Sequence, residues 1–376
     1  MPSGSRSSIR SDSDRPTVTD LRGIRGMGRE PMHAAVRAMT GRTAIATIAA
    51  LAAGLAHAQT PYQPQHAVPS KDAGYVLANG TIQIVGWDDL AGIFERLNAL
   101  YQRTHPGTKL TYVTGNLIAP QHSLIFGETA FAPIGMEFSS NLNSAYASQV
   151  KAPSFSVRIA HGAVQGDGKL APLAFIVHKT NPVGRLSSSQ LMHIFTVGGR
   201  APDIVFWKQA GVDGELAERE IRSYGLPESD HYSSEDPGFG VYLFRDKWGL
   251  AHNARNYQMQ RTYSEVTRKV AEDPAGIGIT ALNRVTADVK VVGVTPGAWG
   301  PPMLGTREDV QSGRYPYDRF IYVYVRRGPN APIDPFVQEY LRMVLSKEGQ
   351  EAIASDAKGY LPLNDGELAA ELAKLE

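Results

Sequence analysis

The sequence predicts an α/β fold, with helices covering both faces of mixed, mainly parallel sheets, and two observations carry that expectation. Thr81–Val113 reads strand, turn, helix, strand, and strand-like and helix-like stretches then alternate to Leu345. Within the first stretch, Thr81–Val85 is a β-branched run that ends at Gly86. Asp88 and Asp89 open a segment whose apolar residues are Leu90, Ile93, Phe94, Leu97, Leu100 and Tyr101, the i, i+3, i+4, i+7 stripe of an amphipathic helix. Acids suit a helix's first turn, where they accept orphan amide hydrogens and oppose the dipole. His105-Pro106-Gly107 stops the helix, and Lys109–Val113 is a second strand. Such a βαβ unit places ligands at the carboxyl ends of its strands, which makes Gly86–Asp89 the functional turn.

The other elements follow in order. Thr114-Gly115-Asn116 is a strand-to-loop junction, and Leu117–Thr129 has little periodicity. Ala132–Phe138 is a short buried strand ending in Ser139-Ser140-Asn141. Ala171–His178 is a continuous apolar strand, and Ser187 caps a helix that runs to Phe195. Glu215–Arg222 reads as a charged, exposed helix, Tyr224–Gly240 as loop, and Val241–Trp248 as a helix with an aromatic face. Ser264–Glu272 is a helix closed by Asp273-Pro274-Ala275-Gly276. Strands are expected at Ile277–Thr280, Val289–Val294 and, most strongly, Phe320–Val325, with a Gly/Pro loop at Pro296–Pro302. Helices at Pro335–Leu345 and Gly349–Ser355 close the pattern, and no internal repeat is visible.

Composition narrows the function. A chain of 376 residues has room for two cores. The absence of cysteine excludes disulfides, thiolate metal sites and cysteine nucleophiles. A formal net charge of +1 gives no field favouring nucleic acid or membranes. Residues 1–31 are rich in Ser, Arg and Gly. From Met32 on, Arg37 and Arg42 precede the apolar run Thr43–Leu55, which ends in Ala56-His57-Ala58. That is the pattern of a secretory signal peptide cut after Ala58, with Met32 or Met39 as the natural start. The alternative, a membrane anchor, needs a longer run. The signal peptide implies a periplasmic or secreted protein; without residues 1–58 its net charge becomes −3, and residues 59–79 read as a polar, Pro-containing linker. No G-x-S-x-G, H-E-x-x-H or phosphate-loop motif occurs, and Gly162–Lys169 (GAVQGDGK) fails the required glycine spacing. Histidines lack metal-ligand spacing, so no enzyme, cofactor or metal is expected.

Six motifs then align in one order. They are the Gly86 turn with its helix ending in Leu100-Tyr101-Gln102, the strand and turn Phe175–Pro182, and Leu186–Phe195 (LSSSQLMHIF). The others are Asp273–Gly278 (DPAGIG), Ser312–Pro316 (SGRYP) before an aromatic strand, and Leu345–Gln350 with Gly359–Leu363. Through them residues 80–363 resemble the periplasmic phosphate-binding proteins, the PstS-like solute-binding proteins of ABC importers. The resemblance implies a two-lobed Venus-flytrap fold, with 80–172 and 291–376 as lobe I and 173–290 as lobe II. It further implies a small oxyanion or other small polar ligand, an ABC-transporter permease as partner, a monomer and no nucleic acid. The family's ligand positions fall on Asp88, Asp89, Asn116, Ser139 with its neighbour Ser140, Gly238 and Phe239. Leu226 stands where the family has its clamping Arg, and Pro237-Gly238-Phe239 replaces Ser-Gly-Thr. Affinity would then come from helix N-termini and small polar groups rather than from a guanidinium fork.

Plainer readings run alongside. Asp88 and Asp89 serve equally as helix caps, and Ser139, Ser140 and Asn141 as the satisfied end of a strand. His231, Tyr232 and Ser233 face the cleft or form an ordinary surface loop. Trp87 and Phe239 line the cleft or pack in a core, and Tyr315, Tyr317, Tyr322 and Tyr324 pack on a strand. Two other functions stay open: a partner-binding accessory protein of a cell-envelope system, and a secreted phosphoryl-handling enzyme.

Overall fold

The opening stripe folds as its spacing dictates. The computed structural model describes residues 60–116, 118–199, 201–228, 235–236, 238–249, 253–297 and 300–376. In it β1 (Ile82–Trp87) passes through a 3-10 turn at Asp88–Leu90 into α1 (Ala91–Thr104). β2 (Leu110–Gly115) then returns parallel to β1. Ile93, Phe94, Leu97 and Tyr101 are the buried face of α1. After α2 (Ala119–Phe126), β3 (Ala132–Ile134), α3 (Ser140–Val150) and β4 (Phe155–His161), β3 and β4 flank the late strand Phe320–Val325 antiparallel.

A five-stranded sheet follows. β5 (Leu173–His178) leads to β6 (Arg185–Ser187), α4 (Ser188–Phe195), β7 (Arg222–Gly225), β8 (Tyr257–Met259), α5 (Tyr263–Ala271), β9 (Gly276–Ala281), β10 (Val289–Val291), β11 (Gly293–Thr295) and α6 (Arg307–Gln311). The order is β10-β5-β9-β7-β8, with β6 and β11 forming a separate parallel pair. The chain finishes with β12 (Phe320–Val325), α7 (Pro335–Val344), α8 (Lys347–Ala354) and α9 (Asp365–Ala373). Capping boxes start α4 (Ser187 with Gln190) and α5 (Thr262 with Glu265), each satisfying two orphan donors. Among the described residues four ladders are parallel and four antiparallel.

Burial divides into two main cores. Phe94, Leu97, Phe131, Ile321 and Tyr340 belong to one, and Phe175, Phe195, Trp207, Leu243 and Ile277 to the other. Val292, Val294, Val310, Tyr315 and Tyr317 pack with the second core. The expected boundary at 290/291 therefore separates residues that bury one another, and we propose that the return crossing lies at Asp318-Arg319. The stretches 162–173 and 317–319 run side by side: Gly162 N–H donates to Arg319 O at 2.7 Å and Leu173 N–H to Tyr317 O at 2.9 Å.

Several expectations need correction. Glu215–Arg222 is not a helix: a 3-10 turn at Gly214–Leu216 precedes β7, whose Ser223 and Tyr224 are buried between β9 and β8. Val289–Val294 splits into β10 and β11, which belong to different sheets, with Val292 buried between them. Val241–Lys247 winds as a π-helix, which turns Val241, Tyr242, Leu243 and Phe244 inward. Within 59–79, Tyr62 is pinned: its OH donates to Glu339 Oε1 at 2.6 Å and its N–H to Glu348 Oε2 at 2.7 Å.

β7 is held from the side by Asp273, whose carboxylate accepts from Arg222 Nε at 2.6 Å, Tyr224 OH at 2.9 Å and Ala275 N–H at 3.1 Å. Burial alone would raise its pKa, but these partners outweigh burial and hold it below the ordinary carboxylate value. A depressed acid stabilises above its unfolded pKa and loses that contribution as pH falls. Asp273→Asn should cost about 1–3 kcal/mol at pH 7, Arg222 being partly exposed, and the gap to wild type in urea melts should narrow towards pH 3.

Candidate functional site

The first candidate region grows from the carboxyl ends of β1 and β2. Their register pairs Trp87 with Gly115, so Asp88 and Asn116 leave the sheet side by side. Gly135, just past β3, lies against the Trp87 ring: a Cβ there would be 2.4 Å from Cζ3, so only glycine fits. The turns at 87–89, 115–116 and 135–140 thus share one edge.

Most candidate side chains on that edge serve the chain itself. Asp88, about half exposed, pairs with Lys169 Nζ at 3.0 Å. Asp89 is buried and accepts from Lys169 N–H at 2.9 Å and Tyr360 OH at 2.5 Å, with Lys358 Nζ at 3.1 Å. The GAVQGDGK loop therefore supplies partners to these acids. Asn116 Oδ1 accepts from Ile118 N–H at 3.0 Å and Ala119 N–H at 3.2 Å, closing the start of α2. Ser139 caps α3 through Leu142 N–H at 3.3 Å, and Ser140 is the exposed first residue of that helix. Trp87 is buried, and Phe239 is fully buried in the second core against Phe244 and Tyr263. His231, Tyr232, Ser233 and Pro237 lie outside the described residues.

Gly238 leads to a group that the sequence did not reveal. Arg319, at the return crossing, is 1% exposed. Its Nη1 donates to Asp236 Oδ2 at 2.5 Å, and its guanidinium lies over the Tyr242 ring, 4.5 Å from the centroid. Asp236 also accepts from Tyr263 OH at 2.8 Å and Gly238 N–H at 3.1 Å. Arg319 Nη2 has no hydrogen-bond partner among the described residues. It points to where Gly238 meets Met136: a Cβ on Gly238 would be 3.3 Å from Nη2 and 3.3 Å from Met136 Cβ. The neighbouring Glu137 accepts from Tyr322 OH at 2.9 Å. Burial works against the charge on Arg319, but Asp236 and Glu137 outweigh it and raise its pKa, so the group stays cationic. The one available sequence signal was an Arg placed directly before the most apolar strand, in Asp318–Val325 (DRFIYVYV).

The pair continues into a buried chain of alternating charge. Asp318 Oδ1 accepts Arg319 N–H at 2.8 Å, while Asp318 Oδ2 meets His161 Nδ1 at 2.6 Å. His161 Nε2 lies 2.9 Å from Glu367 Oε2. Burial alone would lower the pKa of His161, but Asp318 and Glu367 together outweigh it and lift it to about 9. No group of three metal-ligating side chains converges among the described residues.

Comparison with known proteins bears on the fold. The family model for the PBP superfamily domain matches residues 77–348. The chain is 27% identical over 323 residues to the "Phosphate-binding protein PstS" of Pseudomonas aeruginosa, covering 84% of this chain and 93% of that one. An ABC-type phosphate transport receptor from Vibrio cholerae aligns with a TM-score of 0.50 at 18% identity, over 75% of this chain and 99% of that one. PstS from Borrelia burgdorferi aligns with a TM-score of 0.52 at 16% identity, over 75% and 98%. These likenesses show the fold: two-lobed and α/β.

Two outcomes test the reading of the site. Asp89→Ala should cost about 3 kcal/mol, because Lys358 and two hydrogen-bond donors lose a buried partner. Asp88→Ala, which breaks an exposed pair, should cost under about 1 kcal/mol; equal costs in denaturant melts would contradict the distinction. Because the folded pKa of His161 exceeds its unfolded value, its stabilisation is full below about pH 6.5 and is lost as pH rises through about 9. In denaturant melts the wild type should lose about 3 kcal/mol across that window relative to His161→Gln.

Proposed function

The chain belongs to the PBP superfamily, and from that premise we propose that it is an exported solute-binding protein, not an enzyme, which captures a small polar ligand between two lobes by hinge closure. Phosphate is the first ligand to consider, on the strength of the 27% identical relative whose name says it binds phosphate. In this reading lobe I comprises residues 80–161 and 319–376, and lobe II residues 173–317. The signal peptide ending at Ala58 directs the protein to the periplasm, where it works as a monomer and delivers its ligand to an ABC-transporter permease. Among the described residues no helix is long and apolar enough to cross a membrane.

One observation carries the reading. Met136-Glu137 from lobe I and Asp236 with Gly238 from lobe II converge on a buried cation at the crossing between the two cores. Capture between lobes needs such a meeting place, where closure excludes water and fixed polar groups face the guest.

Binding should show as stabilisation. Phosphate at 100 times its Kd adds about 2.7 kcal/mol if it binds only the folded state. Thermal melts with phosphate, sulfate, sugars and amino acids, with small-angle scattering on any solute that raises the midpoint, check both parts. A raised midpoint and a smaller radius of gyration with phosphate are expected. A response to another solute alone would replace the ligand, and no response across the panel would sink the binding function.

A further inference from the structure

We infer that residues 60–70 are an acid-released strap, bound to α7 and α8 at neutral pH by three carboxylates and let go when those carboxylates are protonated. The bonds that hold it run to α7, α8 and the end of α1, so the strap stands apart from the solute-binding reading.

Three observations support the assignment. The strap contains Pro61, Pro64 and Pro69, and in each case the residue that follows gives its backbone N–H to a carboxylate. Tyr62 N–H donates to Glu348 Oε2 at 2.7 Å, Gln65 N–H to Glu339 Oε1 at 2.8 Å and Ser70 N–H to Asp334 Oδ2 at 2.8 Å. Tyr62 OH adds a bond to Glu339 Oε1 at 2.6 Å. A proline fixes its own φ and offers no N–H, so these steps make a stiff segment with its donors in a set register. The packing beneath it, by contrast, is sparse. Pro64, Gln65, His66 and Val68 are exposed, and of the strap's apolar side chains Tyr62 packs against the first core. The strap borders a groove of about 620 Å³ along residues 104–109 and Phe336, and one of about 500 Å³ along Gln338, Arg342 and Leu375. It therefore hangs on its hydrogen bonds. Finally, the acceptors are fixed by the fold: Asp334 Oδ1 caps α7 at Phe336 N–H, Arg342 Nη1 holds Glu339 Oε2 at 2.7 Å, and Glu348 lies in the first turn of α8.

Hydrogen bonds to an ionised carboxylate are about twice as strong as neutral ones, so protonation weakens each hold on the strap. For Glu348, burial alone would raise the pKa, but Tyr62 N–H, its own backbone N–H and Ser346 outweigh burial and hold it below its ordinary value. Its contribution is therefore full above the ordinary value of 4.5 and is lost as pH falls further. The other groups facing these acids do not drive release. His105 Nε2 lies 3.0 Å from Gln65 O and 4.0 Å from Glu339 Oε1, and its cationic form strengthens both contacts. Arg342 favours the charged form of Glu339, and Lys347 that of Glu348. Tyr75 and Tyr101, which face Asp334 and Glu339, are kept neutral by burial. The carboxylates alone set the direction.

Hydrogen–deuterium exchange of the purified protein, read by mass spectrometry and corrected for intrinsic rates, tests the strap. Wild type is compared at pH 7 and pH 4, and Glu348→Gln and Glu339→Gln are measured at pH 7 as mimics of the protonated acids. Glu348→Gln leaves the buried Glu339–Arg342 pair intact, so it remains informative if the Glu339 variant fails to fold. Amides across 60–65 should exchange about tenfold faster in each folded variant, and those across 60–70 about tenfold faster in wild type at pH 4. Peptides from β1 and α1 should keep their wild-type rates throughout. Unprotected amides across 60–70 in wild type at pH 7 would overturn the strap. Wild-type protection in the folded variants and at pH 4 would overturn its release by acid, as would a loss at pH 4 that spreads equally to β1 and α1.

Discussion

The ion pair between Arg319 and Asp236 is a buried charged contact that joins the stretches on either side of the two cores. Moving either charge alone out of water costs several kcal/mol, and a buried pair is tolerated only when further hydrogen bonds satisfy both partners. Here the neighbours alternate in sign: Glu367, His161, Asp318, Arg319 and Asp236 follow one another, ending on the hydroxyl of Tyr263. Those residues come from α9, the end of β4, the return crossing, the loop before the π-helix, and α5. No single sheet or core includes all of them. The polar chain therefore links one core to the other at a defined point, beside apolar packing such as that of Leu361 in the second core.

The helix starts near this edge use some of their amides within the chain. A helix N-terminus attracts an anion because its first amides lack partners. At α2 Asn116 accepts from Ile118 and Ala119, at α3 Ser139 accepts from Leu142, and at the Asp88 turn the acids pair with Lys169 and Lys358. What the edge contributes instead is shape. Trp87 closes over Gly135, and the segment Gly135–Glu137 is delivered to the crossing.

What the sequence made legible was local. The β1-α1-β2 unit, the Ser187 cap of α4, the helix before Asp273, the strand at Phe320–Val325 and the stripe of α7 all announce themselves within a dozen residues, by period or by cap chemistry. α3 was missed because it buries only Tyr146 and Val150, too little to make a stripe. β7 (Arg222–Gly225) was missed because Glu215–Arg222 reads as a charged helix and Tyr224–Gly240 as a loop, whereas the burial of Ser223 and Tyr224 is imposed by β8 and β9. Asp89 looked like a cap and is one end of a contact to Tyr360, 271 residues away. Arg319 was passed over for the same reason, since its partner Asp236 lies 83 residues earlier and nothing in the neighbouring residues signals it. Long-range polar pairing leaves no periodic trace.

The division of contacts around the crossing also says which ones a hinge can release. Gly162 N–H to Arg319 O, Asp318 to His161 and His161 to Glu367 all lie on the lobe I side or within the crossing itself, and opening leaves them unchanged. Asp236 to Arg319, Gly238 against Met136, and Asn283 Nδ2 to Gly168 O at 2.9 Å join lobe II to the rest, and opening must give them up. Tyr242 OH to Asp318 O, Asn364 Nδ2 to Gln311 O at 3.1 Å, and Leu361, which packs in the second core, join it as well. Water replaces such hydrogen bonds at a net cost of about 1 kcal/mol each, with more for the charged pair.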